Sequence, residues 1–124
     1  MDARIATAQE VIDRSKREAI SPAEWQARVE LAACYRLIDH FKMSDLVYTH
    51  ISLRVPDNPE HFLINAYGLL FSEVTASNLI KVDKDGNVLS DTTGFGVNTA
   101  GYVIHSAIHD AREDLNCVMH IHSA

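Results

Sequence analysis

From Trp25 to Phe41 apolar side chains return every three or four residues, at Trp25, Val29, Ala32, Ala33, Leu37 and Phe41. That is the spacing of a helix face laid against a sheet. Ser21-Pro22-Ala23-Glu24 supplies the start, with a serine N-cap, proline at the first helical position and a glutamate three residues after the cap. The spacing predicts a helix over 22–42. From Leu46 to Val55 the period changes to two and β-branched and aromatic residues crowd in, which predicts a strand. Pro56-Asp57-Asn58-Pro59 is a dense turn signal, and 61–65 reads as the antiparallel partner. A second hairpin is predicted from 79–83, the turn Lys84-Asp85-Gly86-Asn87, and Val88-Leu89. Between the hairpins, 66–74 reads as a loop with a short helical turn. Asn98 or Thr99 is expected to cap a helix running to about Arg112, and 115–122 has β character. Ahead of all this, 1–20 reads as a charged, weakly amphipathic helical arm. The order helix, two hairpins, helix, strand predicts a largely antiparallel sheet covered by helices.

Composition narrows the function classes. With 124 residues, 47% of them apolar and 23% charged, the chain fits one domain over 21–124 beside its arm. A net charge of −6 with no basic run argues against nucleic-acid or anionic-membrane binding. No apolar run approaches the roughly 18 residues of a membrane span, and the first residues are too charged for a signal peptide. A cytoplasmic protein is expected. Cys34 and Cys117 lie far apart, outside any CxxC pair and among apolar neighbours, so both are expected as buried, reduced thiols.

The histidines carry the candidate chemistry. His120 and His122 are two apart in a predicted strand, so both imidazoles share a face and form a pair suited to zinc or another borderline divalent cation. His105 and His109, four apart on the predicted helix, form a competing pair. His50 lies between Thr49 and Ser52 in a strand whose polar side chains could meet an anionic substrate. There is no nucleophile elbow, P-loop or dinucleotide fingerprint. Glu73 and Asp91 are candidate acids or bases, each also suited to capping a loop.

Four segments taken in order, 45–54, 62–75, 98–109 and 117–122, resemble the class II aldolase/adducin family. The resemblance implies an α/β fold, an α/β/α layered domain around a largely antiparallel sheet. It implies a divalent metal, most often zinc, on His120 and His122, and a small hydroxylated carbonyl substrate of the sugar-phosphate kind. It also implies anion contacts at His50, Ser52, Gly68 and Thr99, and a tetrameric homo-oligomer. Where the aldolases carry an acid/base glutamate four residues before the histidine matching His105, this chain has Gly101, so Glu73 or a substrate group would have to move the proton. Family members bring a third metal histidine from beyond the HxH strand, so the chain is expected to be the N-terminal part of a longer domain. The second function class implied is an adducin-like protein-binding or assembly module without catalysis.

Overall fold

In the computed structural model, which describes residues 20–46 and 48–123, helix α1 (Pro22–His40) starts at the predicted cap. Ser21 Oγ accepts a hydrogen bond from the Glu24 amide at 3.1 Å. The arm expected over 1–20 lies outside the described residues, except for Ile20.

The face that α1 buries differs from the predicted one. Glu24, Ala27, Arg28, Leu31, Ala32 and Tyr35 are buried, whereas Val29, Leu37 and Phe41 are 41%, 56% and 61% exposed. Two charged residues lie on the buried stripe because each is paired. Arg28 Nε donates to Glu24 at 2.9 Å, and its Nη1 donates to the Ala76 and Leu79 carbonyls at 3.1 and 2.8 Å. Lys81 Nζ closes on the other Glu24 oxygen at 2.9 Å. Buried charge is tolerated when it is paired and hydrogen-bonded in this way.

After α1 the chain turns through Lys42 and Leu46, both with positive φ. The first strand therefore begins at His50, not Leu46: β1 is His50–Val55. With β2 (Asn58–Ile64), β3 (Ile80–Asp83), β4 (Val88–Ser90) and β5 (Cys117–His120) it forms one sheet in the order β4-β3-β2-β1-β5, every neighbouring pair antiparallel. A single 3-10 turn, Phe71–Glu73, stands in the predicted loop, and helix α2 (Thr99–Ala111) is capped by Asn98.

Strand alternation sorts the residues onto two faces. Ile51, Val55 and Leu63 join Leu31, Tyr35 and Phe71 under α1, while Phe62, Ile64, Ile80 and Val82 join Tyr102 of α2 on the other face. Two helices on opposite faces of the sheet make the α/β/α layering. The Tyr35 hydroxyl is the polar centre of the first core. It donates to the Ile51 carbonyl and accepts from the Ile51 and Asn65 amides at 2.8 and 3.2 Å. Arg54 fixes the far edge, donating to the Pro59, His109 and Leu115 carbonyls at 2.7, 2.9 and 3.2 Å. Because β5 is an edge strand, Cys117 is exposed rather than buried; Cys34 is half-buried, and both thiols are free. Among the described residues no helix is long and apolar enough to cross a membrane.

Candidate functional site

The β1–β5 register places His50 directly opposite His120. Both point to the α2 side of the sheet, as does His122 two residues on. His120 Nε2 lies 3.2 Å from His122 Nε2, and His120 Nδ1 lies 3.5 Å from His50 Nε2. His122 Nδ1 donates to Asp45 Oδ2 at 2.8 Å. His50 is buried, whereas His120 and His122 are exposed.

Behind His50 a chain of hydrogen bonds runs into the protein between β1 and α2. His50 Nδ1 and His105 Nε2 are 2.5 Å apart, and Ser52 Oγ stands 2.6 Å from His105 Nδ1 and 2.8 Å from His109 Nε2. Ser52, His105 and His109 are almost wholly enclosed. Burial, reinforced by the neighbouring imidazoles of His50 and His109, pushes His105 down to about 4. Burial and then the Arg54 charge push His109 down to about 4. His50 is lowered by burial and by His120. All three rings are therefore neutral at pH 7, each with one N–H and one lone pair. The serine hydroxyl donates once, so the neutral chain can be protonated in only two self-consistent directions. In one, His50 presents an N–H toward His120; in the other, it presents a lone pair.

Gly101, in the first turn of α2, is packed against this chain. A Cβ at position 101 would lie 2.8 Å from His50 Cδ2 and closer still to Nε2. The space that a side chain would need at the expected acid/base position is filled by the His50 imidazole.

The predicted anion contacts fall into two groups. His50 and Ser52 belong to the buried chain, and Ser52 Oγ is fully engaged there. Gly68 and Thr99 are exposed; Thr99 lines a pocket of about 300 Å³ with Tyr48, Tyr67, Val97, Asn98 and Ala100, and Gly68 follows the lining residue Tyr67. No charged side chain lines that pocket. The larger cleft, about 370 Å³, is lined by Arg54, Phe62, His109 and Asp110 among others and contains neither His120 nor His122. Glu73 caps the 3-10 turn, its Oε1 accepting from the Leu70 amide at 2.9 Å. Asp91 accepts from Thr93, Gly94 and Gly96 within its own loop. His105 and His109 share an inward face but are tied to His50 and Ser52. Asp45 was not a sequence candidate, because nothing local to it signals a partner 77 residues away.

An antiparallel sheet thus lies between two helices, and at its β5 edge His120 and, just past the end of the strand predicted to include it, His122 face a buried imidazole chain. The model of the class II aldolase and adducin N-terminal domain matches residues 29–124, and the chain belongs to this family. A solved aldolase II superfamily protein from Pseudomonas syringae is 61% identical, with a TM-score of 0.84 over 86% of this chain and 43% of its own. An L-fuculose 1-phosphate aldolase from Glaciozyma antarctica PI12 is 32% identical, with a TM-score of 0.77 over 100% of this chain and 46% of its own. Alpha-adducin of Rattus norvegicus is 50% identical over 106 residues, 85% of this chain and 14% of the adducin. The chain spans less than half the length of the curated relatives it first matches.

Proposed function

We propose that this chain carries the metal-binding part of a class II aldolase-type site. The substrate is a small hydroxylated carbonyl compound of the sugar-phosphate kind, cleaved or enolised, and His120 and His122 hold a divalent cation, zinc. One observation carries the reading: the two Nε2 atoms stand 3.2 Å apart on one face. Two corners of a tetrahedron with zinc–nitrogen bonds of about 2.0–2.1 Å are separated by a similar distance. Two imidazoles fit a borderline cation and leave positions for substrate and for further donors. Among the described residues no group of three candidate ligands forms a complete site.

Such a cation, held by His120 and His122, would supply Lewis-acid stabilisation of negative charge developing on the substrate oxygens. The chain's own residues do the rest. Gly68 and Thr99, both exposed, receive the anionic end of the substrate. His50 stands where a side chain at position 101 would project, and its Nε2 is the atom that holds or yields a proton beside His120. Glu73 is already committed to its cap. The working form is a cytoplasmic homo-oligomer, a tetramer.

Calorimetric titration of the chain with zinc tests the reading. Binding should be lost in the double variant His120→Ala with His122→Ala; binding that survives in that variant sinks the metal site. A specific observation favours a second reading. Gly101 offers no acid/base side chain, and the alpha-adducin relative is 50% identical. A non-catalytic assembly module would bind zinc weakly or not at all, and would turn over no hydroxylated carbonyl compound.

A further inference from the structure

The geometry points to Asp45 as a positioning residue for the His122 donor, an inference that rests on the metal-site reading above. The turn between α1 and β1 grips position 122 at two points. The Met43 carbonyl accepts from the His122 backbone N–H at 2.8 Å, and Asp45 Oδ2 accepts from His122 Nδ1, also at 2.8 Å. A carboxylate can only accept in such a bond, so Nδ1 carries the proton. With the proton on Nδ1, the nitrogen left to ligate a cation is Nε2, the atom 3.2 Å from His120 Nε2. Asp45 thus selects both the tautomer and the orientation that present a donor to a cation.

The need for such a hold is visible in the exposure of His122, whose side chain is 45% open. Apart from the edge of the His120 ring, with centroids 5.1 Å apart, the Asp45 bond is what holds the exposed ring among the described contacts. The backbone of the turn that carries Asp45 is tightly folded. The Asp45 carbonyl accepts from the Tyr48 amide at 2.9 Å, and Leu46 takes a φ of 50°, a left-handed conformation rare for a residue with a branched side chain. A carboxylate on the far nitrogen of a metal-binding imidazole is a recurrent way of fixing ligand geometry.

The test uses the whole chain in wild-type form and as Asp45→Ala and Asp45→Asn. In zinc-free protein at pH 8, ¹⁵N NMR of the imidazoles should show His122 as the Nδ1–H tautomer in wild type and chiefly the Nε2–H tautomer in Asp45→Ala. Zinc affinity by calorimetry should fall by about 10–100-fold in Asp45→Ala. Asp45→Asn, which keeps an oxygen acceptor, should fall between the two. A merely structural role would lower the melting temperature and leave the His122 tautomer unmoved. If Asp45→Ala does not fold, Asp45→Asn decides alone, and its identity with wild type in both measurements overturns the inference. Equal zinc affinity in wild type and Asp45→Ala overturns it too, while leaving the metal reading intact. A wild-type chain that binds no zinc overturns the metal reading itself, and the role of Asp45 with it.

Discussion

At position 101 the missing side chain is a requirement of packing, and the sign of one substitution shows it. In a helix interior, alanine is favoured over glycine by about 1 kcal/mol, and Gly101 lies in the first turn of α2 with no positive φ to protect. Its absent Cβ, however, would fall within 2.8 Å of His50 Cδ2. His50 has little room to yield, because His105 holds its Nδ1 at 2.5 Å and His120 faces its Nε2. Overpacking of that kind costs about 1–3 kcal/mol. Gly101→Ala is therefore expected to destabilise the wild-type chain by up to about 2 kcal/mol after the helical gain is subtracted. In a His50→Ala background the same change should stabilise by about 0.5–1 kcal/mol. Urea unfolding of the four proteins closes the cycle, and the same sign in both backgrounds would disprove the steric link. It follows that placing glutamate at 101 while His50 remains is expected to displace the His50 ring from its place in the hydrogen-bonded chain.

At the scale of elements, what was legible depended on whether a signal was local. The start of α1, both hairpins and the Asn98 cap of α2 follow from turn and capping chemistry within a few residues, and the structure has them there. The buried face of α1 did not follow from apolar spacing. Glu24 and Arg28 are drawn inward by Ala76, Leu79 and Lys81, 48 to 57 residues away. Likewise, Leu46 reads as strand by composition, yet its positive φ belongs to the turn that meets His122. How α1 is fastened to the sheet can be tested at Tyr35, whose one hydroxyl serves backbone groups of both Ile51 and Asn65. Removing it leaves buried backbone N–H groups without that acceptor, at about 1–3 kcal/mol. Tyr35→Phe should lower the unfolding free energy by that amount with no change in denaturant dependence. A loss below 0.5 kcal/mol, on the order of a surface change, would mean the hydroxyl is replaceable.

For the molecule as a whole, the sequence showed the exposed half of the site and concealed the buried half. His120 and His122 are visible as an alternating pair, but the chain from His50 through His105 and Ser52 to His109 exists only once β1 and α2 face one another. The paired spacings, two apart on the strand and four apart on the helix, hold its only trace in the sequence. That buried chain should set the pH dependence of folding. His105 and His109 take up protons near 6.5 when unfolded and only near 4 when folded. Unfolding therefore takes up protons between these limits, so the contribution of these groups is complete only above the unfolded value and stability declines as pH falls from there toward 4. Each group contributes a slope of at most about 1.4 kcal/mol per pH unit. The hydrogen-bonded carboxylates of Asp83 and Asp91 are depressed below 3.8 and act at lower pH, outside this window. His50, also lowered, adds to the decline in the same direction. Unfolding free energies from urea titrations at pH 7.5, 6.5, 5.5 and 4.5 should show it, and His109→Gln, which removes one of these titrating groups, should make it shallower. Stability that held level or rose on acidification from 6.5 to 4.5 would mean that the imidazoles are charged in the folded protein, and that the neutral proton chain behind His50 does not exist.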